Sequence, residues 1–253
     1  MKVTSLYSSS SGNSCRVFND DTSILIDCGV SAKKLFAEEE FPIDALFITH
    51  EHADHIAGAG VIGRKVGMPI YIHKDSYEPF KEKTFKKCDD IIKDIKGGDR
   101  IEIGDFSIKA FTTRHDSRNG GLGYVVTETS TGKKFGYLTD TGSITGMMAN
   151  ELEGCDAYLL EADYDTKSLF EFDMYDQLLK ERIDSPFGHL SNDQIMDFID
   201  SHLKKSFSKV QWILFGHLSH RTNSPEMVKT AFNTRFSEFK NIYIAPHETL
   251  EIL

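Results

Sequence analysis

The chain has 253 residues, 40% hydrophobic and 27% charged, which fits a soluble globular protein long enough for one large core. No apolar run approaches the roughly 20 residues that span a bilayer, and the start, MKVTSLYSSSSGN, lacks the apolar core of a signal peptide. A cytoplasmic protein without a membrane partner is expected. The formal net charge of −10 argues against nucleic-acid binding over the whole surface, though not against a local basic groove or bound cations that meet phosphate.

In chain order, KVTSLY and CRVFN read as strands joined by the loop SSSSGNS (Ser8–Ser14). SILIDCG is a buried strand that stops at Asp27 and a glycine, and SAKKLFAEEE reads as a helix. DALFITH is another buried strand, ending at a histidine cluster from which ADHIAGAGVIGRKVG leaves as a short helix. MPIYIH precedes a Lys-rich helix over 74–87. DRIEI, FSIKAFTT, LGYVVTET, KKFGYLTD and CDAYLLEAD then read as strands. A helix over 175–182 follows, and a longer one after GHLSND, where Ser191 and Gln194 fit a capping box. VQWILFGH is a late strand. NSPEMVKTAF starts a helix with Ser224 at the cap and Pro225 at its first position. NIYIA and LEIL close the chain as short strands. Four strands over 100–140 with no intervening helix disfavour a doubly wound parallel sheet. The pattern predicts an α+β fold: two mixed sheets face to face with helices outside, a four-layer αββα sandwich in a single domain over 1–253.

The four cysteines, Cys15, Cys28, Cys88 and Cys155, are widely spaced and form no CxxC pair, so they read as reduced thiols. The stretch THEHADHIAG carries the chemistry. In extended chain, residues i and i+2 share a side, so His50 and His52 can face one point. Asp54 and His55 lie past the break and can face a neighbouring one. That spacing suits two adjacent metal ions better than one or a solvated polar turn. Each ion needs three or more protein ligands, so the rest must come from elsewhere. Three hydrophobic strands stop at competent side chains: FTTRHD at His115, FGYLTDTG at Asp140 and WILFGHLSH at His217.

This series resembles the metallo-β-lactamase fold superfamily of metallohydrolases over essentially the whole chain. LIDCG, THEHADH, His115, LTDTG and His217 stand in the family's order. The resemblance implies one metal on His50, His52 and His115, a second on Asp54, His55 and His217, a bridge by Asp140, and Asp27 steadying the histidine loop. Zinc β-lactamases with two metals usually have cysteine where Asp140 stands. A carboxylate bridge instead resembles the phosphodiesterase and nuclease branches, with ions about 3.5–4 Å apart clamping a phosphoryl group. GHLSNDQIMDFI and FGHLSHRTN resemble the late motifs of ribonuclease Z-like nucleases. With SSSSGNS, RHDSRNGGLGY and LTDTGSIT they are most similar to the exonuclease-type, YycJ/WalJ-like branch, which acts on DNA 5′ ends. That branch usually carries Asn-His-Asp after the glutamate near 161. Here the text is Glu161-Ala-Asp163-Tyr164-Asp165, so no role of that histidine is carried over.

The expected activity is that of a dinuclear metal-dependent phosphodiesterase, a DNA nuclease of 5′-exonuclease type, whose metal-bridging hydroxide attacks phosphorus in line. The alternative is hydrolysis of a small phosphodiester or other small ester. Two divalent ions are implied, zinc first, manganese or iron otherwise, with DNA favoured over RNA as substrate. Asp54 is expected to orient the water and His189 to protonate the leaving oxygen, although His189 also fits a loop position beside a capping box. Ser9, Ser10, Gly12 and Asn13 could offer hydroxyls and N–H groups to phosphate, and Ser219 lies in the His217 motif loop. His73, His202, His220 and His247 read as structural or solvated. The Lys-rich pieces 81–87 and 204–209 read first as solvated faces. The oligomeric state is left open.

Overall fold

A computed structural model describes residues 1–37, 40–84 and 90–253. Cys88, and the part of the Lys-rich helix beyond position 84, lie outside the described residues. The chain builds β1 (Lys2–Tyr7), β2 (Ser14–Phe18), β3 (Ser23–Ile26), β4 (Ala45–Phe47), β5 (Ile70–Ile72) and β6 (Ile92–Asp94). It continues with β7 (Arg100–Ile103), β8 (Phe106–Thr112), β9 (Leu122–Glu128), β10 (Lys134–Leu138), β11 (Ala157–Glu161), β12 (Trp212–Gly216), β13 (Ile242–Ile244) and β14 (His247–Glu251). Among the described residues these form two seven-stranded sheets, ordered β14-β1-β2-β3-β4-β5-β6 and β13-β12-β11-β10-β9-β8-β7. Each sheet is half antiparallel meander and half parallel: β3 to β6 run parallel, as do β10 to β13.

The parallel strands are apolar on both faces because both faces are covered. In β4, Ala45 and Phe47 face the core between the sheets, where they meet Tyr124, Phe106 and Leu159, while Leu46 faces the opposite way. There it packs with Ile56, Ile62 and Phe80 from α2 (Ala53–Ile56), α3 (Ala59–Val66) and α4 (Tyr77–Thr84), alongside Leu35 of α1 (Ala32–Leu35). The outer face of the second sheet is covered by α5 (Gly146–Leu152), α8 (Asn192–Phe198) and α9 (Pro225–Arg235), through Met148, Leu152, Ile195, Val228 and Phe232. The short α6 (Thr166–Glu171) and α7 (Gln177–Ile183) link β11 to α8. The result is the expected αββα sandwich. No helix among the described residues is long and apolar enough to cross a membrane.

Several local expectations shift. The helix leaving the histidine cluster is two helices, α2 and α3, parted at Gly58. That glycine's N–H reaches the Cys28 carbonyl (2.9 Å), and a Cβ there would lie 1.9 Å from the Val30 carbonyl oxygen. The close crossing forces the break. In SAKKLFAEEE, the helix capped by Ser31 is one turn, Ala32–Leu35. The helix expected from position 74 begins with a 3-10 turn, Lys74–Ser76, capped by the His73 side chain. The capping box at Ser191 and Gln194 and the Ser224–Pro225 start are both present. β6, α5 and α6 carry no periodicity that announces them. Cys15, Cys28 and Cys155 are buried free thiols, and burial pushes Cys28 and Cys155 up to about 12, so neither is ionised at neutral pH.

Candidate metal centre

The parallel strands β3, β4, β10, β11 and β12 deliver their carboxyl ends to one edge of the sandwich, where open α/β sheets place their sites. Asp27 follows β3, Asp140 lies two residues beyond β10, and His217 follows β12. All three have left-handed backbone, with φ of 60°, 54° and 55°. Left-handed backbone is uncommon outside glycine and costs other residues on the order of 1 kcal/mol or more, although aspartate and histidine adopt it more often than most. At each position the chain turns sharply off its strand and leaves the side chain pointing inward.

His50 and His52 lie on one side, as their spacing requires, with ring centroids 4.4 Å apart. His115 joins them: its Nε2 is 3.2 Å from His52 Nδ1. One donor atom from each of the three lies within 4.8 Å of the others, and Asp54, His55 and His217 form a second such triad. Asp140 sits between the two. Its carboxylate oxygens are 3.3 Å from His55 Nε2, 3.3 Å from His217 Nε2 and 3.8 Å from His115 Nε2. Sequence reasoning therefore names seven donors, and the fold brings all seven together.

Other side chains hold these donors in place. The His55 Nδ1–H donates to Asp27 (2.8 Å), which leaves Nε2 aimed at Asp54 and Asp140. Asp27 also accepts from the Thr49 N–H (2.9 Å) and the Thr49 hydroxyl (2.9 Å). The His115 Nδ1–H donates to the Gly188 carbonyl at 3.0 Å. This pattern, one imidazole nitrogen tied to an oxygen and the other turned inward, is how proteins orient histidines toward a cation.

Charge explains the rest. Burial, then His55, pushes His50 well below the imidazole range, and burial takes His115 down to about 4, so the first triad is neutral and ready to donate lone pairs. Burial is the largest influence on His55 and His217 as well and opposes their charge, but the surrounding carboxylates together outweigh it and hold both well above the imidazole range. These are Asp140 with Asp27 and Asp54 at His55, and Asp140 with Asp163, Asp54 and Glu161 at His217. Burial likewise opposes charge on Asp140, yet the protonated His217 and His55 beside it keep it ionised. The carboxylates thus favour positive charge at the centre. His50 Nε2, Asp140 Oδ2 and both His217 nitrogens are buried with no hydrogen-bond partner among the described residues. Orphaned buried donors and acceptors are costly; His50, Asp140 and His217 Nε2 belong to the donor cluster, while His217 Nδ1 faces Glu161 and Asp163 at 3.5 Å. The donor set of imidazoles and carboxylates fits divalent cations such as zinc, iron or manganese.

His189 lies beside this cluster. Its ring stacks on His217 (5.1 Å, 15°), and its Nδ1 is 2.7 Å from Glu161 Oε1. Burial opposes its charge, but Asp163 and Glu161 raise it to about 9. Glu161, the last residue of β11, also accepts the Thr141 N–H at 3.0 Å and is fully buried. Asp163 Oδ1 stands 3.5 Å from His217 Nδ1. These two carboxylates occupy the stretch where the branch motif is altered, and no spacing rule nominated either as a supporting group.

The phosphate-loop candidates divide. Asn13 reaches the cluster, with Nδ2 3.1 Å from His55 Nε2 and 3.3 Å from Asp54 Oδ2. Ser9 holds the loop closed: its N–H donates to Asn13 Oδ1 and its carbonyl accepts from Asn13 Nδ2. Ser10 is exposed, and Gly12 lies against Val30, whose methyl a Cβ would meet at 2.7 Å. The Ser219 hydroxyl accepts from the Thr222 hydroxyl at 2.9 Å, within its own turn. Ser8, at the start of the same loop, instead accepts the His217 N–H at 2.7 Å. Glu51 accepts from Ser76 (2.7 Å) and from the Arg118 N–H (2.9 Å), tying the histidine loop to the loop after His115.

Gly29 lets three segments meet. Its N–H donates to the Asn13 carbonyl, Asn13 donates in turn to the Asp54 carbonyl, and a Cβ on residue 29 would fall 1.5 Å from that Asp54 oxygen. Gly29→Ala is expected to cost on the order of 3 kcal/mol in denaturant unfolding, because backbone on both sides must move. A loss below about 0.5 kcal/mol would show that the three segments are not held this tightly.

Residues 22–206 match the beta-lactamase superfamily domain. The chain is 36% identical to exodeoxyribonuclease WalJ of Streptococcus pneumoniae, over 89% of this chain and 84% of that protein. It is 29% identical to exodeoxyribonuclease YycJ of Bacillus anthracis, over 92% and 88%. Its fold overlays the metallo-beta-lactamase fold protein YhfI of Bacillus subtilis with a TM-score of 0.74, at 22% identity, over 99% of this chain and 98% of that one. With the sandwich, the strand-end donors and these similarities together, the chain belongs to the β-lactamase superfamily and has the metallo-β-lactamase fold.

Proposed function

We propose that this protein is a dinuclear metal-dependent phosphodiesterase that degrades DNA from its 5′ ends. The observation that carries the reading is the position of Asp140, within 3.3–3.8 Å of histidines from both donor triads. A carboxylate there can serve two closely spaced cations at once. The similarity to two relatives named as exodeoxyribonucleases supports DNA over RNA as the substrate.

His50, His52 and His115 would hold one ion, Asp54, His55 and His217 the other, with Asp140 shared. A bound pair of divalent cations, zinc first and manganese or iron otherwise, supplies charge stabilisation for a phosphoryl group and a water nucleophile at neutral pH. The protein supplies the geometry. Asp27 and Thr49 fix the tautomer and direction of His55, and the Gly188 carbonyl does the same for His115. Asp54, with one oxygen 3.4 Å from His55 Nε2 and 3.8 Å from His217 Nε2, would orient the attacking water. His189, kept protonated by Glu161 and Asp163, donates its proton to the leaving oxygen. Asn13 presents its amide, and the exposed Ser10 its hydroxyl, from the loop beside the cluster.

The test is digestion of DNA labelled at either end, with RNA and a cyclic dinucleotide in parallel. The 5′ label is expected to leave first, as a mononucleotide, and RNA to be cut more slowly. Cleavage of small diesters without cleavage of DNA would make the nuclease reading wrong.

A further inference from the structure

Phe187 is out of place for a large apolar side chain. It is 49% exposed, two residues before His189. This exposure does not come from a slack loop. The Ser143 hydroxyl donates to the Pro186 carbonyl (3.1 Å), and His115 Nδ1–H donates to the Gly188 carbonyl (3.0 Å). The His189 N–H closes back on the Ile183 carbonyl (2.9 Å), and Gly142 packs so closely that a Cβ there would meet Ser185 O at 2.1 Å. The turn is fastened to both the Asp140 and the His115 loops, and it holds the ring exposed two residues from His189.

A cation accompanies the ring. The Arg114 guanidinium carbon lies 4.7 Å from the Phe187 centroid. Arg114 is the residue before His115, and its backbone is pinned by Thr141 Oγ1 (3.1 Å) and by the Gly142 N–H (2.9 Å). An exposed aromatic face and a planar cation are therefore fixed together, each within two residues of a group that handles the phosphodiester.

We propose that Phe187 and Arg114 form a stacking platform for a nucleobase of the substrate beside the scissile phosphate. This rests on the phosphodiesterase reading above. Every base has a π-face, so a phenyl ring accepts any of them, and arginine adds cation–π attraction and charge toward the phosphates. The platform makes the site select base-bearing nucleic acid over a bare sugar-phosphate chain of equal charge, without choosing among bases. Phe187 positions the substrate and takes no part in bond breaking.

The test compares two phosphorothioate-linked octamers bound to the metal-loaded protein and read by anisotropy of a 3′ fluorescein. One is octathymidylate, the other a chain of abasic tetrahydrofuran nucleotides. The protein is expected to bind the thymidine chain about tenfold tighter. Phe187→Ala should remove that preference and leave affinity for the abasic chain unchanged, while Phe187→Trp should keep it. Equal weakening on both chains by Phe187→Ala would reduce Phe187 to shaping the turn and overturn the proposal. Equal binding of both chains by the unsubstituted protein would also overturn it, while cleavage of DNA in the same preparation would leave the nuclease reading standing. A protein that neither binds nor cuts DNA would overturn both.

Discussion

Asp140→Asn is expected to lower DNA hydrolysis by about a thousandfold or more while leaving a folded protein. Asparagine nearly matches aspartate in volume and tolerates the left-handed backbone at this position, where φ is 54°. It is therefore a cleaner probe than alanine, which would meet the same φ without a side chain suited to it. The substitution removes one negative charge from a buried point surrounded by His55, His115 and His217. Two closely spaced cations repel each other, and the carboxylate between them offsets that repulsion. Loss of at least one equivalent of metal should accompany the loss of turnover, with the circular dichroism spectrum unchanged. Turnover within about tenfold of the unsubstituted protein would remove the shared-carboxylate mechanism.

The second large effect is at His189. His189→Ala is expected to lower kcat on DNA by about a hundred- to a thousandfold, the usual worth of a positioned general acid. Its side chain is 21% exposed, so it reaches the mouth, and its Nδ1 is engaged 2.7 Å from Glu161, which leaves Nε2 for the substrate. Choice of leaving group separates proton donation from a structural role. A p-nitrophenyl ester of thymidylate releases a phenolate that needs no proton, so His189→Ala should slow that ester by less than about tenfold. Glu161→Gln, which weakens the hold on the same ring, should follow the same pattern at smaller size. Equal losses on DNA and on the nitrophenyl ester would mean that His189 shapes the site and does not deliver the proton.

The donors were legible in the sequence because each lies where a local pattern breaks. Asp27, His50, His115, Asp140 and His217 all end hydrophobic runs, and a chemically competent residue at a strand end is visible without coordinates. Apart from Asp27, the groups that aim them were not legible, since their partners are remote in the chain. Ser8 meets His217 across 209 residues, and Glu161 meets His189 across 28. The packing of the two sheets brings the first pair within reach, and the packing of α8 on the second sheet brings the second. The left-handed backbone at Asp27 and Asp140 had a faint signal, as aspartate tolerates that region and a glycine follows two residues later in both cases, whereas no glycine follows His217 in that way. The split between α2 and α3 was hidden in the same way. A glycine in a helical pattern is often tolerated, and only the Val30 carbonyl pressing on Gly58 shows why the helix stops there.

The central claim is that one edge of this sandwich holds two cations and needs both. Stripping the protein with a chelator and titrating zinc or manganese back, with bound metal measured by mass spectrometry and DNA hydrolysis followed in the same samples, tests it most directly. Metal content should saturate at two ions per chain, and hydrolysis should rise chiefly with the second. Full hydrolysis with one ion or none, or saturation at a single ion, would contradict it.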